Sequence, residues 1–134
     1  MATLSSGELA LASEHGIVLC RQAVRRMTQE LGFSLVDQTK MVTAASELAR
    51  NTLVHGGGGT VSWEILSEGA RCGLRMRFED RGSGIANIEL ALTDGWSTGR
   101  GLGLGLSGAR RLVNEFELES AVGKGTRVTI TRWK

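Results

Sequence analysis

Two short runs of alternating side chains limit what this chain can fold into. Val61, Trp63 and Ile65 alternate with polar neighbours, and Leu74, Met76 and Phe78 alternate with Arg75, Arg77 and Glu79. A period of two makes each run a strand with one apolar and one polar face. Residues 67–70 are a short enough connection for a hairpin. Such a hairpin is marginal until something covers its apolar side, and the cover lies upstream. Ile17, Cys20, Val24, Met27 and Leu31 recur at three and four residues, predicting an amphipathic helix that Gly32 ends. Ser34, with Asp37 three residues on, is an N-cap for a second helix from Leu35 to about Val54. Its stripe is Met41, Ala45, Leu48 and Thr52, flanked by Val42, Ala49 and Leu53, and the glycines at 56–59 stop it.

The rest of the chain fits around that unit. Residues 8–13 alternate, with Leu9 and Leu11 on one face, and read as a short first strand. Residues 88–93 are a candidate short helix and 94–103 a mobile loop. Leu106, Ala109, Leu112, Val113 and Phe116 mark a third substantial helix. Residues 118–122, a turn at 123–125 and residues 126–133 make a closing hairpin. The sum is an α+β fold, a two-layer sandwich with helices on one face of a mixed, mostly antiparallel sheet. At 134 residues it is expected to form a single domain, 1–134.

Bulk properties exclude several classes of function. A net charge of +2 leaves no electrostatic footprint for nucleic acid or an anionic membrane. No apolar run approaches the length of a membrane span, and the first fifteen residues lack the basic start of a signal peptide. Cys20 and Cys72 are not at metal-ligand spacing, and they read as free thiols in a reducing cytosol.

Three separated segments carry the candidate chemistry. Glu47 and Asn51 are four residues apart and share one face of the second helix, off its apolar stripe. An amide oxygen is a hard ligand for a small divalent ion that keeps most of its waters, and a carboxylate can take a proton from an attacking hydroxyl or water. An isolated pair at this spacing is better read as solvated surface. Asp80 closes a strand, where it can accept a hydrogen bond from an exocyclic amine such as the adenine N6, and Gly82 and Gly84 let backbone come close to a ligand. A tight turn is an equally good reading of those three. Gly99, Gly101, Gly103 and Gly105 alternate with Arg100, Leu102 and Leu104 and run into the third helix, a pattern suited to wrapping phosphate. Arg100 either reaches a terminal phosphate or is a solvated lid residue. The run is neither a P-loop nor the dinucleotide fingerprint. Thr126, after GKG, is a candidate to join Asp80 near a base. His15 and His55 have no partner at ligand spacing, Trp96 in the loop suits a partner protein or burial, and Trp63 and Trp133 are strand aromatics.

In this order ELARN, DRGSGI, GRGLGLGL and GKGT resemble the ATP-binding boxes of the GHKL ATPases, the group of gyrase, the ninety-class heat-shock chaperones, histidine kinases and mismatch-repair ATPases. The short length and DGWSTGRGLGLGL are most similar to the RsbT-like serine/threonine kinases of bacterial partner-switching modules, beside the anti-sigma-factor kinases. The resemblance implies the Bergerat-type fold, ATP and Mg²⁺ as cofactors, and transfer of the γ-phosphoryl group to serine or threonine of a STAS-domain antagonist in the cytoplasm. It further implies possible activation of a PP2C-type phosphatase. By resemblance Glu47 is the catalytic base, Asn51 the Mg²⁺ ligand and Asp80 the adenine-reading acid. Gly82 and Gly84 line the base pocket, Gly101, Gly103 and Gly105 the phosphates. Ser83 stands where the family often has proline, which implies a looser turn without loss of a functional group. The glycines after His55 imply a looser edge to the site. Two alternatives stay open: an anti-sigma factor that sequesters a sigma factor with kinase activity secondary, and a stand-alone ATP-binding domain of a histidine kinase.

Overall fold

The expected hairpin forms the middle of a five-stranded sheet. The computed structural model describes residues 1–85, 92 and 105–134. In chain order its elements are β1 (Ala2–Leu11), α1 (Glu14–Glu30), α2 (Leu35–Val54), β2 (Gly59–Glu68), β3 (Arg71–Asp80), α3 (Gly105–Arg111), β4 (Glu115–Ala121) and β5 (Gly125–Trp133). The strands lie in the order β1-β2-β3-β5-β4, and all four pairings are antiparallel.

One sheet face carries the core. Val61, Phe78, Val128 and Leu118 are register partners across four strands, and Met76, Ile130 and Phe116 form a parallel row. These rows meet the stripes of the helices: Ile17, Cys20, Val24 and Met27 from α1, Met41, Ala45 and Leu48 from α2, Leu106 and Ala109 from α3. Phe78 and Leu48 are 1% exposed, so truncating either to alanine costs about 3–5 or 2–5 kcal/mol respectively. Among the described residues no helix covers the other face, which is mostly polar but buries Leu66. There Arg75 and Arg77 reach Thr131 and Thr129, and Arg127 lies between Glu79 and Glu119.

The second helix has the expected limits. Ser34 Oγ accepts from the Asp37 backbone N–H at 3.1 Å, and the chain leaves the helix at His55 before the glycine run. Asp37 also receives Arg132 Nη2 at 2.6 Å, while Arg132 Nη1 donates to the Leu112 carbonyl at 2.8 Å. This guanidinium therefore ties the start of α2 to the segment just after α3.

The limits of three elements differ from the sequence reading. The first strand begins at Ala2 and ends at Leu11, not at 8 and 13. Residues 2–6 are exposed and show no apolar alternation; backbone pairing to β2 holds them, with an irregularity between Thr3 and Ser5. The third helix stops at Arg111, so Val113 and Phe116 are not helical, and the fourth strand starts at Glu115 rather than 118. Phe116 reaches the core as the partner of Ile130, with Glu115 and Glu117 turned outward. The helix expected at 88–93 and the loop at 94–103, Trp96 included, lie outside the described residues; Leu92 alone is described and packs against the core.

Cys20 and Cys72 are both free. Burial pushes the Cys20 thiol up to about 12, leaving it protonated and inert.

Candidate functional site

α2 and α3 run antiparallel. Their far ends are joined through Arg132, and their near ends bring Asn51 to Gly105, whose Cβ position lies 3.8 Å from the Asn51 side-chain amide. Glu47 sits one turn back on the same face of α2, half-buried like Asn51. Among the described residues neither side chain makes a hydrogen bond or ion pair.

Asp80 is the last residue of β3, where the core face of the sheet opens. Gly59 is its register partner on one side and Thr126 on the other. Its Oδ1 accepts from the Gly82 N–H at 2.8 Å, the turn that DRG makes. Oδ2 has no protein donor among the described residues. The tail of α2 folds over this carboxylate. Gly56 donates to the Asn51 carbonyl at 3.1 Å, and a Cβ at Gly56 would overlap the Asp80 carboxyl group. Gly56 is the residue that permits close packing at this edge, whereas Gly57 has nothing within 4 Å of its Cβ position.

The turn after Asp80 is bound to the last hairpin. Ser83 O accepts from Gly123 N at 2.7 Å. Gly84 has φ +79°, and a Cβ there would overlap the Ala121 carbonyl, so a side chain is barred both by conformation and by space. The position where proline was expected is thus anchored by its carbonyl. Ile85 N donates to Ser120 Oγ at 2.8 Å, and Ser120 lies 2.8 Å from Thr126 Oγ1. Gly59, Asp80, Thr126 and Ser120 form one row across β2, β3, β5 and β4 on the core side.

Of the residues singled out in the sequence, Asn51 meets Gly105, and Asp80 meets Gly82 and lies opposite Thr126. Glu47 stands beside Asn51 on α2, and Gly84 holds the hairpin. Arg100, Gly101 and Gly103 lie outside the described residues. Ser120 and Gly56 were not singled out as site residues. Ser120 was accessible in principle, since continuing the alternation of Phe116 and Leu118 puts a serine on the apolar face. A shallow concavity of about 590 Å³ on the other sheet face, lined by Thr3, Glu64, Arg75 and Arg77 among others, contains none of these groups.

The donor set fits a magnesium ion in one way only. Among the described residues there is no group of three or more acidic, thiol or imidazole side chains able to hold a metal. Asn51 offers a single hard oxygen, which suits an ion held chiefly by phosphate and water.

The chain has relatives along most of its length. Residues 36–134 match the family described as histidine kinase-, DNA gyrase B-, and HSP90-like ATPase. The serine/threonine-protein kinase RsbT of Bacillus subtilis is 42% identical over 123 residues, covering 92% of each chain. The anti-sigma F factor of Clostridium kluyveri is 29% identical over 118 residues, 84% of this chain and 82% of that one. The RsbU and RsbW domains of Rv1364c from Mycobacterium tuberculosis share the fold at TM-score 0.62 and 22% identity, with 96% of this chain matched to 32% of that one. A mycobacterial sensor histidine kinase, MprB, does so at TM-score 0.54 and 17% identity, over 96% and 97% of the two chains. With its motifs in order, its antiparallel sheet under helices on one face and these relatives, the chain belongs to the histidine kinase-, DNA gyrase B- and HSP90-like ATPases, as an RsbT-like serine/threonine-protein kinase.

Proposed function

We propose that residues 1–134 act as one domain that transfers the γ-phosphoryl group of ATP to a serine or threonine of a STAS-domain antagonist in a cytoplasmic partner-switching module. The observation that carries this is that Gly105 lies against the Asn51 side chain while Gly56, bonded to the Asn51 carbonyl, packs on Asp80, with the Asn51 amide and Asp80 Oδ2 free of protein partners among the described residues. Asp80 accepts from the adenine amine through Oδ2, beside Thr126. Asn51 offers its amide oxygen to Mg²⁺, which when bound neutralises phosphate charge. Gly105, with Arg100, Gly101 and Gly103 before it, is the stretch assigned to the phosphates. Glu47 takes the proton of the substrate hydroxyl as its oxygen bonds to the γ-phosphorus, the bond to the β–γ bridging oxygen breaks, and ADP departs.

The test is to incubate the protein with γ-labelled ATP, Mg²⁺ and candidate STAS-domain proteins. Label on serine or threonine of one of them is the expected result, and the absence of label despite measurable ATP binding would end the kinase reading. The likeness to anti-sigma F factors supports a second reading, direct capture of a sigma factor. Copurification of a sigma factor with no labelled STAS protein would select it. A PP2C-type phosphatase is the further partner expected of an RsbT-like kinase, to be tested by its activity with and without this chain.

A further inference from the structure

We infer that Ser120 is a positioning residue that sets the direction of the Thr126 hydroxyl proton, and through it the preference for a 6-amino over a 6-oxo purine. This rests on the nucleotide reading above. Ser120 Oγ has three polar neighbours: the Ile85 N–H at 2.8 Å, the Gly125 carbonyl at 2.9 Å and Thr126 Oγ1 at 2.8 Å. A serine hydroxyl has one proton to give and two lone pairs to receive. Ile85 N can only donate and the Gly125 carbonyl can only accept. One assignment makes all three contacts hydrogen bonds: Ser120 donates to Gly125 and receives from both Ile85 and Thr126.

The Thr126 proton is then committed to Ser120, and what Thr126 turns toward the site is lone pairs. Thr126 is the register partner of Asp80 on the same sheet face, where directly opposed Cβ atoms stand about 5 Å apart. Asp80 is acceptor-only when ionised, with Oδ2 unengaged by protein donors among the described residues. Two adjacent acceptors suit a ring edge that presents an amine and oppose one that presents a carbonyl. A free threonine hydroxyl would rotate and donate to the carbonyl, which would erase its share of the discrimination. Ser120 touches no nucleotide in this arrangement; it acts through Thr126.

The experiment compares dissociation constants of ATP and GTP by calorimetry on the full chain. Wild type is expected to prefer ATP, and Ser120→Ala to narrow that preference about ten-fold, chiefly by gaining GTP affinity. Ser120→Thr keeps the hydroxyl and should keep the preference. In a Thr126→Val background, Ser120→Ala should change the ratio no further, a result that a merely structural role would not produce. If Ser120→Ala does not fold, Ser120→Cys, of similar size and far weaker as a donor, makes the same comparison. An unchanged ratio in the folded variant, an equal drop with and without the Thr126 hydroxyl, or equal wild-type affinities for the two nucleotides would each overturn the inference. A wild type that binds no ATP would instead defeat the nucleotide reading itself.

Discussion

The two ends of α2 hold their polar groups differently. At the start, Ser34 caps the helix, Asp37 pairs with Arg132 at 2.6 Å, and Gln38 Nε2 donates to the Phe33 carbonyl at 2.9 Å. At the other end, Glu47 and Asn51 are half-buried on one face with no protein hydrogen bond among the described residues. The start is not fully paired, since Gln38 Oε1 and Arg132 Nε are buried without a partner among the described residues. Its caps and ion pair nevertheless fix the helix, whereas Glu47 and Asn51 keep part of their surface open to solvent. The difference teaches that the far end holds the helix in place, while the near end leaves its polar side chains open to the ligand proposed above.

If that division is right, substitutions at the two ends should separate activity from stability. The largest effect expected is from Glu47→Ala, which should slow phosphoryl transfer by about 10²–10⁴-fold and leave ATP affinity nearly unchanged. Single-turnover kinetics with a saturating protein substrate would measure it, and transfer at the wild-type rate would remove Glu47 from the mechanism. Asp80→Asn comes next. Loss of a charge-assisted acceptor should weaken ATP by roughly ten- to a hundred-fold, read by titration, with an unaltered melting curve.

The far end should show the reverse pattern. Ser34→Ala removes the helix cap and is expected to cost about 1 kcal/mol in denaturant unfolding, without effect on the ATP dissociation constant. The smallest effect belongs to Asp37→Asn, because the pair is partly solvated, and it should depend on pH. The Arg132 hydrogen bond, ahead of the Arg132 and Lys40 charges and against some desolvation, holds the Asp37 carboxyl below the usual carboxylate range. Its folded value lies under its unfolded one, so its stabilisation is present above the unfolded value and disappears as pH falls through the folded one. Wild type and variant should therefore differ near neutrality and converge in acid; a gap that persists in acid would contradict this account of the pair.

How much of this was legible beforehand differs from element to element. α2 was readable at both ends because Ser34 and the glycine run are chemical stop and start signals. The central hairpin was readable because Leu74, Met76 and Phe78 face a core and their neighbours face water. Residues 2–6 were not, since an exposed edge strand held by backbone pairing has no side-chain period to detect. Val113 and Phe116 misled because their spacing from Leu106, Ala109 and Leu112 fits a helix, while Phe116 also alternates correctly within a strand. In the site, Glu47, Asn51, Asp80 and Thr126 were suggested by the order of their motifs and the family resemblance, not by residue type alone. The part of Ser120 depended on strand register and on which neighbour can donate, and neither is written in a single segment.

The row formed by Gly59, Asp80, Thr126 and Ser120 has a temporal consequence. Its members come from four strands, and β5 is inserted between two that were made earlier. The Gly59–Asp80 half of this wall can form with the β2–β3 hairpin, but Ser120 has nothing to bridge it to Asp80 until β5 emerges from the ribosome. Affinity for a purine should consequently become complete only once β5 has emerged and joined the row.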